Sequence, residues 1–547
     1  RFDEIEDEIS IYKESVKNEL YPFVRVAQAL AQKYDVVVTN PPYMGGKGQN
    51  AKLSNFVRTN YPDSKSDLFA CLIEECGELL KPSGYQAMVT QHAWMFLSSY
   101  EKLRTKLLSQ HDIVNMAHFG ARAFEEIGGE VVQTAAFVLS ARKTMGYRGT
   151  YVRLVDFSSQ DEKEAAFLSG KHCYTASADN FAKIPGSPVA YWVSEAMLKV
   201  FENDKIYSIS ITPSQNVTGN NERFVRKHWE LCSNLINKKD LWIFYAKGGG
   251  YRKWYGNLED VVNWTPGARE IYRFGDGKHA SQIINKKYWY HKGITWGLIT
   301  SNIPSFRIMP EGATFDKGGS TIIIKENVYN YVFGLLNSKA FLKIVMSLNP
   351  TLNFQIRDIC NMPLNIKNKD EVDLFVDNNI SLSRADWDSF ETSWDFKRHP
   401  LILTTKTISD AYEQWKTDAN AMFDKLKANE EELNRIFIDI YGLQDELKPE
   451  EEDKDVTVHR IYDRKDDIPE SMAKSQYALT KQDVIKSFIS YAVGCMFGRY
   501  SLDVEGLAYA GGEWDWGKYK RCLPDKDNII PISDDEYFED DIVGLFV

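Results

Sequence analysis

The sequence predicts a mixed α/β sheet over residues 1–170, an α+β region after it and a helical spacer beyond. Three observations carry that prediction. Runs of β-branched apolar residues recur, as in "DVVVT" from Asp35. They alternate with stretches of helical period such as "SDLFACLIEECGELL" from Ser66. After about Gly170 the chain turns irregular, aromatic-rich and Gly-punctuated, until a helical period resumes at Thr407.

Taken in order, Ile5, Ile9, Tyr12, Val16 and Leu20 stand at helical spacing, and Pro22 reads as the stop of that helix. "DVVVT" reads as a strand that ends at Asn40. The helix after it should be capped by Ser66 and ended by "KPSG". Strand "YQAMVT", helix "SYEKLRTKLLSQ", strand "DIVNMAHF" and strand "TAAFVLSA" complete the region. Strands alternating with helices of this length make a parallel or mixed sheet with helices on its faces. In such sheets ligands sit beyond the carboxyl ends of the strands, where Asn40 lies.

Residues 171–403 should form a second domain dominated by strands and loops. Ile408, Tyr412, Trp415, Ala419, Met422, Leu426, Leu433, Phe437 and Ile440 predict a long helix or helical hairpin within 404–447. Residues 448–479 are dense in Glu, Asp and Lys and read as a solvated linker. The region 480–547 opens with a helix whose Thr480 and Asp483 match a capping box.

Composition narrows the classes. At 547 residues, 43% hydrophobic and 26% charged, the chain reads as a soluble protein of two or three domains. No apolar stretch is long enough to cross a bilayer, and no signal peptide is visible. Seven scattered cysteines suggest a reducing cytoplasm, with neither a disulfide framework nor a structural metal. A net charge of -11 argues mildly against nucleic acid, although Arg223 to Lys253 and Lys278 to Lys292 are locally basic. With Arg1 at one end and "DIVGLFV" at the other, both ends read as cut from something larger.

The most informative stretch is "NPPY", Asn40 to Tyr43. Each proline fixes its own φ and forces the residue before it extended, so the amide of Asn40 and the carbonyl of Pro41 are held with little freedom. Two fixed acceptors suit an exocyclic amine, whose two hydrogens they accept while its lone pair localises for attack. Tyr43 offers a flat face for a planar group. A duplex base would first have to leave the helix. The bland alternative is a plain turn after a strand.

"NPPY" after an apolar strand resembles the catalytic motif of amino methyltransferases that use S-adenosylmethionine. "YDVVVTNPPYMGGKGQNAKLSNFVRTNYPDSKSDLFACLIE" and "ISYAVGCMFGRYSLD" resemble, more closely, the adenine-specific DNA methyltransferases of BREX phage-defence systems, the PglX type. The resemblance implies a Rossmann-like methyltransferase sheet, present in part, then a target recognition domain and spacer. It assigns Asn40, Pro41, Pro42 and Tyr43 to catalysis, and Tyr43 and Phe124 to stacking on the target base. Asn40, Asp67 and Leu68 are expected to border the S-adenosylmethionine. Phe124 reads equally well as an ordinary core aromatic. The family's glycine-rich cofactor loop and ribose-binding acid are not found between Arg1 and Thr39, and are expected upstream of Arg1.

"YVFGLLNSKAF" and "LNPTLNFQIRDICNMPL" resemble the turns of target recognition domains in restriction-modification specificity proteins, and "EELNRIFIDIYGLQDEL" resembles their helical spacer. Candidates for reading base edges are Arg252, Lys253, Trp254, Asn302, Arg307 and Lys317, with Lys47 on the "GGKG" lip. Lys247 to Tyr255 reads equally as a hairpin with a solvated face. The expected partners are double-stranded DNA and other proteins of a defence complex, with no membrane. Alternatives are a non-catalytic DNA-recognition subunit, a type IIG-like restriction-modification enzyme and a protein glutamine methyltransferase.

Overall fold

β-branched side chains are stiff at χ1 and favour extended backbone, and in the computed structural model the run around Val36 lies in strand β1, Tyr34–Thr39. The structure describes residues 18–124, 132–211, 215–275, 277, 280–298, 303–348, 354–402, 407–533, 538 and 541–546. The helix expected from Ile5 lies, up to residue 17, outside the described residues. Asn18 and Glu19 are helical and that helix breaks at Leu20, just before Pro22, and Pro22 also opens the next one. It stands in the first turn of α1, Tyr21–Ala31, where the missing N–H would have no intrahelical partner anyway.

The chain divides into two compact units, Arg1–Glu202 with Ser347–Pro350, and Asn203–Met346 with Thr351–Val547. In the first, β1 is joined by β2 (Leu80–Gln91), β3 (Ile113–Gly120), β4 (Thr134–Ser140), β5 (Arg148–Arg153) and β6 (Cys173–Ser177). They order as β1-β2-β4-β3-β5-β6. β1 and β2 are parallel, with Thr39 opposite Met88. β4 runs antiparallel to both its neighbours, β2 and β3, while β5 is parallel to β3 and β6 antiparallel to β5. The carboxyl ends of β1, β2 and β3 therefore share one edge. The unit does not end near Gly170, because β6 adds a strand to this same sheet and Phe181, Val189 and Tyr191 pack into its core.

Side chains alternate across the sheet. Met88, Met116, Phe137 and Leu139 point to one face, where α3 (Leu68–Glu78) and α4 (Glu101–Gln110) deliver Phe69, Ile73, Leu103 and Leu107. Each such buried side chain contributes roughly 1.5–3 kcal/mol. The other face carries Val38, Ala87, Val89, Ala136, Val138 and Val152 along a trough of about 700 Å³, and Asn40 stands in the same trough. Val38 is 71% exposed there.

The second unit holds two four-stranded sheets built from β7 (Ser210–Ile211), β8 (Val225–Lys227), β9 (Trp242–Ala246), β10 (Asp260–Asn263), β11 (Gly293–Trp296), β12 (Phe306–Met309), β13 (Thr314–Phe315) and β14 (Thr321–Ile324). Their orders are β13-β9-β10-β8 and β12-β11-β14-β7. The strands and loops expected here are interrupted by helices, Tyr329–Leu336 and Lys369–Trp387 among them. The first is buried at every position but Asn330, so it has no polar face for a helical period to reveal. The spacer is one helix, Ile408–Tyr441, closed by Gly442 in the left-handed conformation.

Residues 448–479 are not a solvated linker. Val456, Val458, Ile461 and Met472 are buried, and Arg460–Tyr462 pairs in parallel with Ala478–Thr480. The acids that suggested solvation are matched by distant lysines, Asp453 by Lys427 and Glu451 by Lys253. The helix Lys481–Met496 begins with the expected capping box of Thr480 and Asp483. Among the described residues no single helix is long and apolar enough to cross a membrane.

Candidate active site

The strand β1 delivers Asn40 and Pro41 to the shared carboxyl edge of the sheet. Asn40 is exposed, Pro41 buried and Tyr43 half-buried. The Tyr43 hydroxyl donates to the Val89 carbonyl at 3.4 Å, and its ring meets Phe69 edge-on at 6.0 Å between centroids. Burial, with the charge of Asp67 adding to it, raises the Tyr43 pKa above its ordinary value. The tyrosine is thus a neutral ring held along one edge.

Asp67, not Ser66, caps α3. Its carboxylate accepts the Phe69 N–H at 3.4 Å and the Met44 N–H at 2.8 Å. Leu68 N–H in turn donates to the Met44 carbonyl at 3.2 Å. The asparagine-proline loop is therefore fastened at its downstream end to the start of a core helix, and the half-buried Leu68 follows the cap. Removing the cap in Asp67→Ala should lower stability by about 1–2 kcal/mol, read as a urea midpoint. Asp67→Asn, which keeps an acceptor oxygen, should retain most of it.

Phe124 leaves the same edge after β3 and is 39% exposed. β3 lies three strands from β1, roughly 14 Å at about 4.8 Å per strand. Four residues span at most about 14 Å, so the loop Ala121 to Phe124 must turn back fully toward β1 for the two aromatics to share a base. Lys47 is exposed in the glycine-rich turn after Tyr43.

Beside this edge lies a buried pair of histidines that no motif in the sequence singles out. His92, just past β2, approaches His118 of β3 at 2.8 Å between Nδ1 and Nε2, and His118 Nδ1 lies 3.1 Å from the Tyr191 hydroxyl. Burial lowers His92 to about 4. His118 falls well below its usual range, through burial first and then its neighbour His92. Unfolded histidines titrate near 6.5, so between pH 6.5 and 4 the unfolded chain binds protons that the folded unit refuses. Stability then falls as pH falls through that window. Between pH 7 and 5 the loss assigned to His92 is about 2 kcal/mol. Urea midpoints at the two values should differ less in His92→Phe than in the wild type.

Of the six candidate base-reading residues of the second unit, Arg252, Lys253, Trp254 and Arg307 lie in its interior. Arg252 is buried, its guanidinium 3.0 Å from Asp386 and stacked on Trp387 at 4.8 Å. Against the burial that pushes it up, His459 and Arg252 hold the Asp386 carboxyl down to about 2. Lys253 lies 3.0 Å from Glu430 and 2.7 Å from Glu451, all three buried. Trp254 donates its indole N–H to Glu430 at 2.6 Å. Arg307 is buried on β12 and donates to the Gly248 carbonyl. Arg252 and Lys253 are paired with acids, as a charge taken out of water must be, and all four side chains lie inside the unit. Lys317 is exposed, and Asn302 lies outside the described residues.

For the methyl donor, the fit is one-sided. Asn40, Pro41 and Tyr43, the residues expected to hold an amine, lie together at the edge of the sheet. Among the described residues before Asn40 there is no glycine to turn a loop around the donor's methionine part, and the Asp67 carboxylate is engaged by backbone N–H groups.

Residues 2–124 match the family model described as Eco57I restriction-modification methylase. The chain is 44% identical, over 96% of its own length, to the adenine-specific methyltransferase PglX of Lacticaseibacillus casei (strain Zhang), covering 44% of that protein. It is 36% identical, over 98% of its length, to the adenine-specific methyltransferase BrxX of Escherichia coli O9:H4 (strain HS), covering 45% of it. It thus spans less than half the length of these curated relatives. A solved structure of the restriction-modification enzyme MmeI in complex with DNA aligns with 75% of the chain and 54% of MmeI, at 11% identity and a TM-score of 0.48. With nearly its whole length aligned at these identities, the chain belongs to the family of the PglX and BrxX adenine-specific methyltransferases.

Proposed function

We propose that the protein carrying this chain transfers a methyl group from S-adenosylmethionine to the exocyclic amine of adenine at specific duplex DNA sites. In that reading it marks DNA within a BREX-type phage-defence system, in the cytoplasm and together with partner proteins, as the PglX-type resemblance implies. The observation that carries the reading is the position of Asn40 and Pro41 just past β1, at the carboxyl edge of the sheet, on a loop fastened by Asp67. The cofactor supplies an electrophilic methyl on sulfonium. The chain's part is to accept both amine hydrogens, hold the base against Tyr43 and keep the lone pair aimed. Gain from such positioning is entropic and large. Phe124 is assigned to the second side of the base, and Leu68 to the cofactor's border. Within 171–403, the part that follows the first unit at Glu202 is assigned to target choice, with Lys317 and Lys47 as exposed contacts.

Purified full-length protein is expected to move a labelled methyl group from S-adenosylmethionine onto N6 of adenine in unmodified duplex DNA. Label appearing in a protein glutamine, or no transfer to DNA at all, overturns the reading.

A further inference from the structure

The basic residues that the second unit leaves on its surface lie elsewhere than Arg252 and Lys253. Among the described helices of eight residues or more, Ala51–Asn60 is α2, Gln160–Ser169 is α5 and Pro266–Phe274 is α6. Asp240 pairs with Arg269 of α6 at 2.7 Å, which brings the turn Lys238-Lys239 against this helix. The Tyr290 hydroxyl takes the Trp264 indole N–H at 3.1 Å and lies 3.4 Å from the Lys239 carbonyl, which brings in the segment of Lys286 and Lys287. Arg273 follows Arg269 by one turn.

These cations rest on aromatic rings more than on acids. Lys239 lies 5.3 Å from the Tyr290 ring centre, Arg269 5.0 Å from Trp289, Arg273 5.9 Å from Phe274 and Lys287 4.7 Å from Tyr288. A ring face attracts a cation without neutralising it. Lys238, Lys239, Arg273, Lys286 and Lys287 are exposed. Against these and Arg269, the acids on the same segments are Asp240, already paired, and Glu270. In a chain of net charge -11, this is a local excess of free positive charge.

We infer that this face holds the phosphate backbone of duplex DNA and supplies affinity without reading sequence. The inference rests on the DNA reading above and adds to it the surface that carries non-specific binding. Backbone contacts position a protein, while base contacts specify, so the two functions fall on different residues.

The test is the full-length protein with Lys238→Gln, Lys239→Gln, Lys286→Gln and Lys287→Gln together, titrated with labelled duplexes of unrelated sequence over a range of salt. Each phosphate contact contributes about 0.9 to the slope of log affinity against log salt. The slope should fall by roughly two to four, and affinity near 0.1 M salt at least about tenfold, equally for every duplex. The methylated sequence and the urea midpoint should not change. Wild-type slope and affinity in the variant overturn the inference, as does a changed methylated sequence. If the wild-type protein binds duplex DNA without salt dependence, the DNA reading itself fails, a result separable from failure of this surface.

Discussion

Asn40→Ala in the full-length protein is expected to lower methyl transfer by at least about 10²-fold, the scale on which losing one preorganised polar contact to a reacting group acts. The amide is one of two acceptors asked to hold the amine, and the Pro41 carbonyl cannot take both hydrogens in the right geometry. Stability should change little, because Asn40 is exposed and surface substitutions usually stay within about 0.5 kcal/mol. DNA affinity should also survive, since phosphate contacts supply most of it. The deficit should therefore appear in kcat, with KM for DNA nearly unchanged. Equal losses in folding and transfer would reassign Asn40 to structure.

Lys253→Met carries the second large effect. The ammonium is buried between Glu430 and Glu451. Burial pushes Glu430 up, and the Glu451 charge adds to that rise, while Lys253 opposes it. Without the lysine two carboxylates face each other away from water, and breaking a buried pair costs about 3–5 kcal/mol. The urea midpoint should fall accordingly at pH 7. Removing one acid as well, in Lys253→Met with Glu430→Gln, should recover much of the loss. A single-variant change below about 1 kcal/mol would mean that the charges are solvated. Arg252→Ala belongs with it: stability should fall and the methylated sequence stay the same.

Those same residues show where the sequence could be read and where it could not. The alternation of β-branched runs with helical periods places β1 to β4, α3 and α4, because both signals are local. Asn40 to Tyr43 at a carboxyl edge follows from the same pattern. Arg252 and Lys253 read as groove contacts in the sequence because their counter-charges lie far along the chain: Asp386 is 134 residues from Arg252, and Glu430 and Glu451 are 177 and 198 from Lys253. The region 448–479 reads as a linker for the reciprocal reason, its acids having lysine partners in distant segments. The His92–His118 contact joins two strands through a third, and nothing in "QHAWMF" or "NMAHFG" marks one histidine as the other's neighbour. Pro22 stood in the one helical position where it starts a turn as readily as it ends one.

Modified adenines can be sequenced in cells carrying the intact gene, in cells without it and in cells with Asn40→Ala. One duplex sequence should be methylated at adenine N6 in the first and unmodified in the other two. The same pattern in all three would contradict the account.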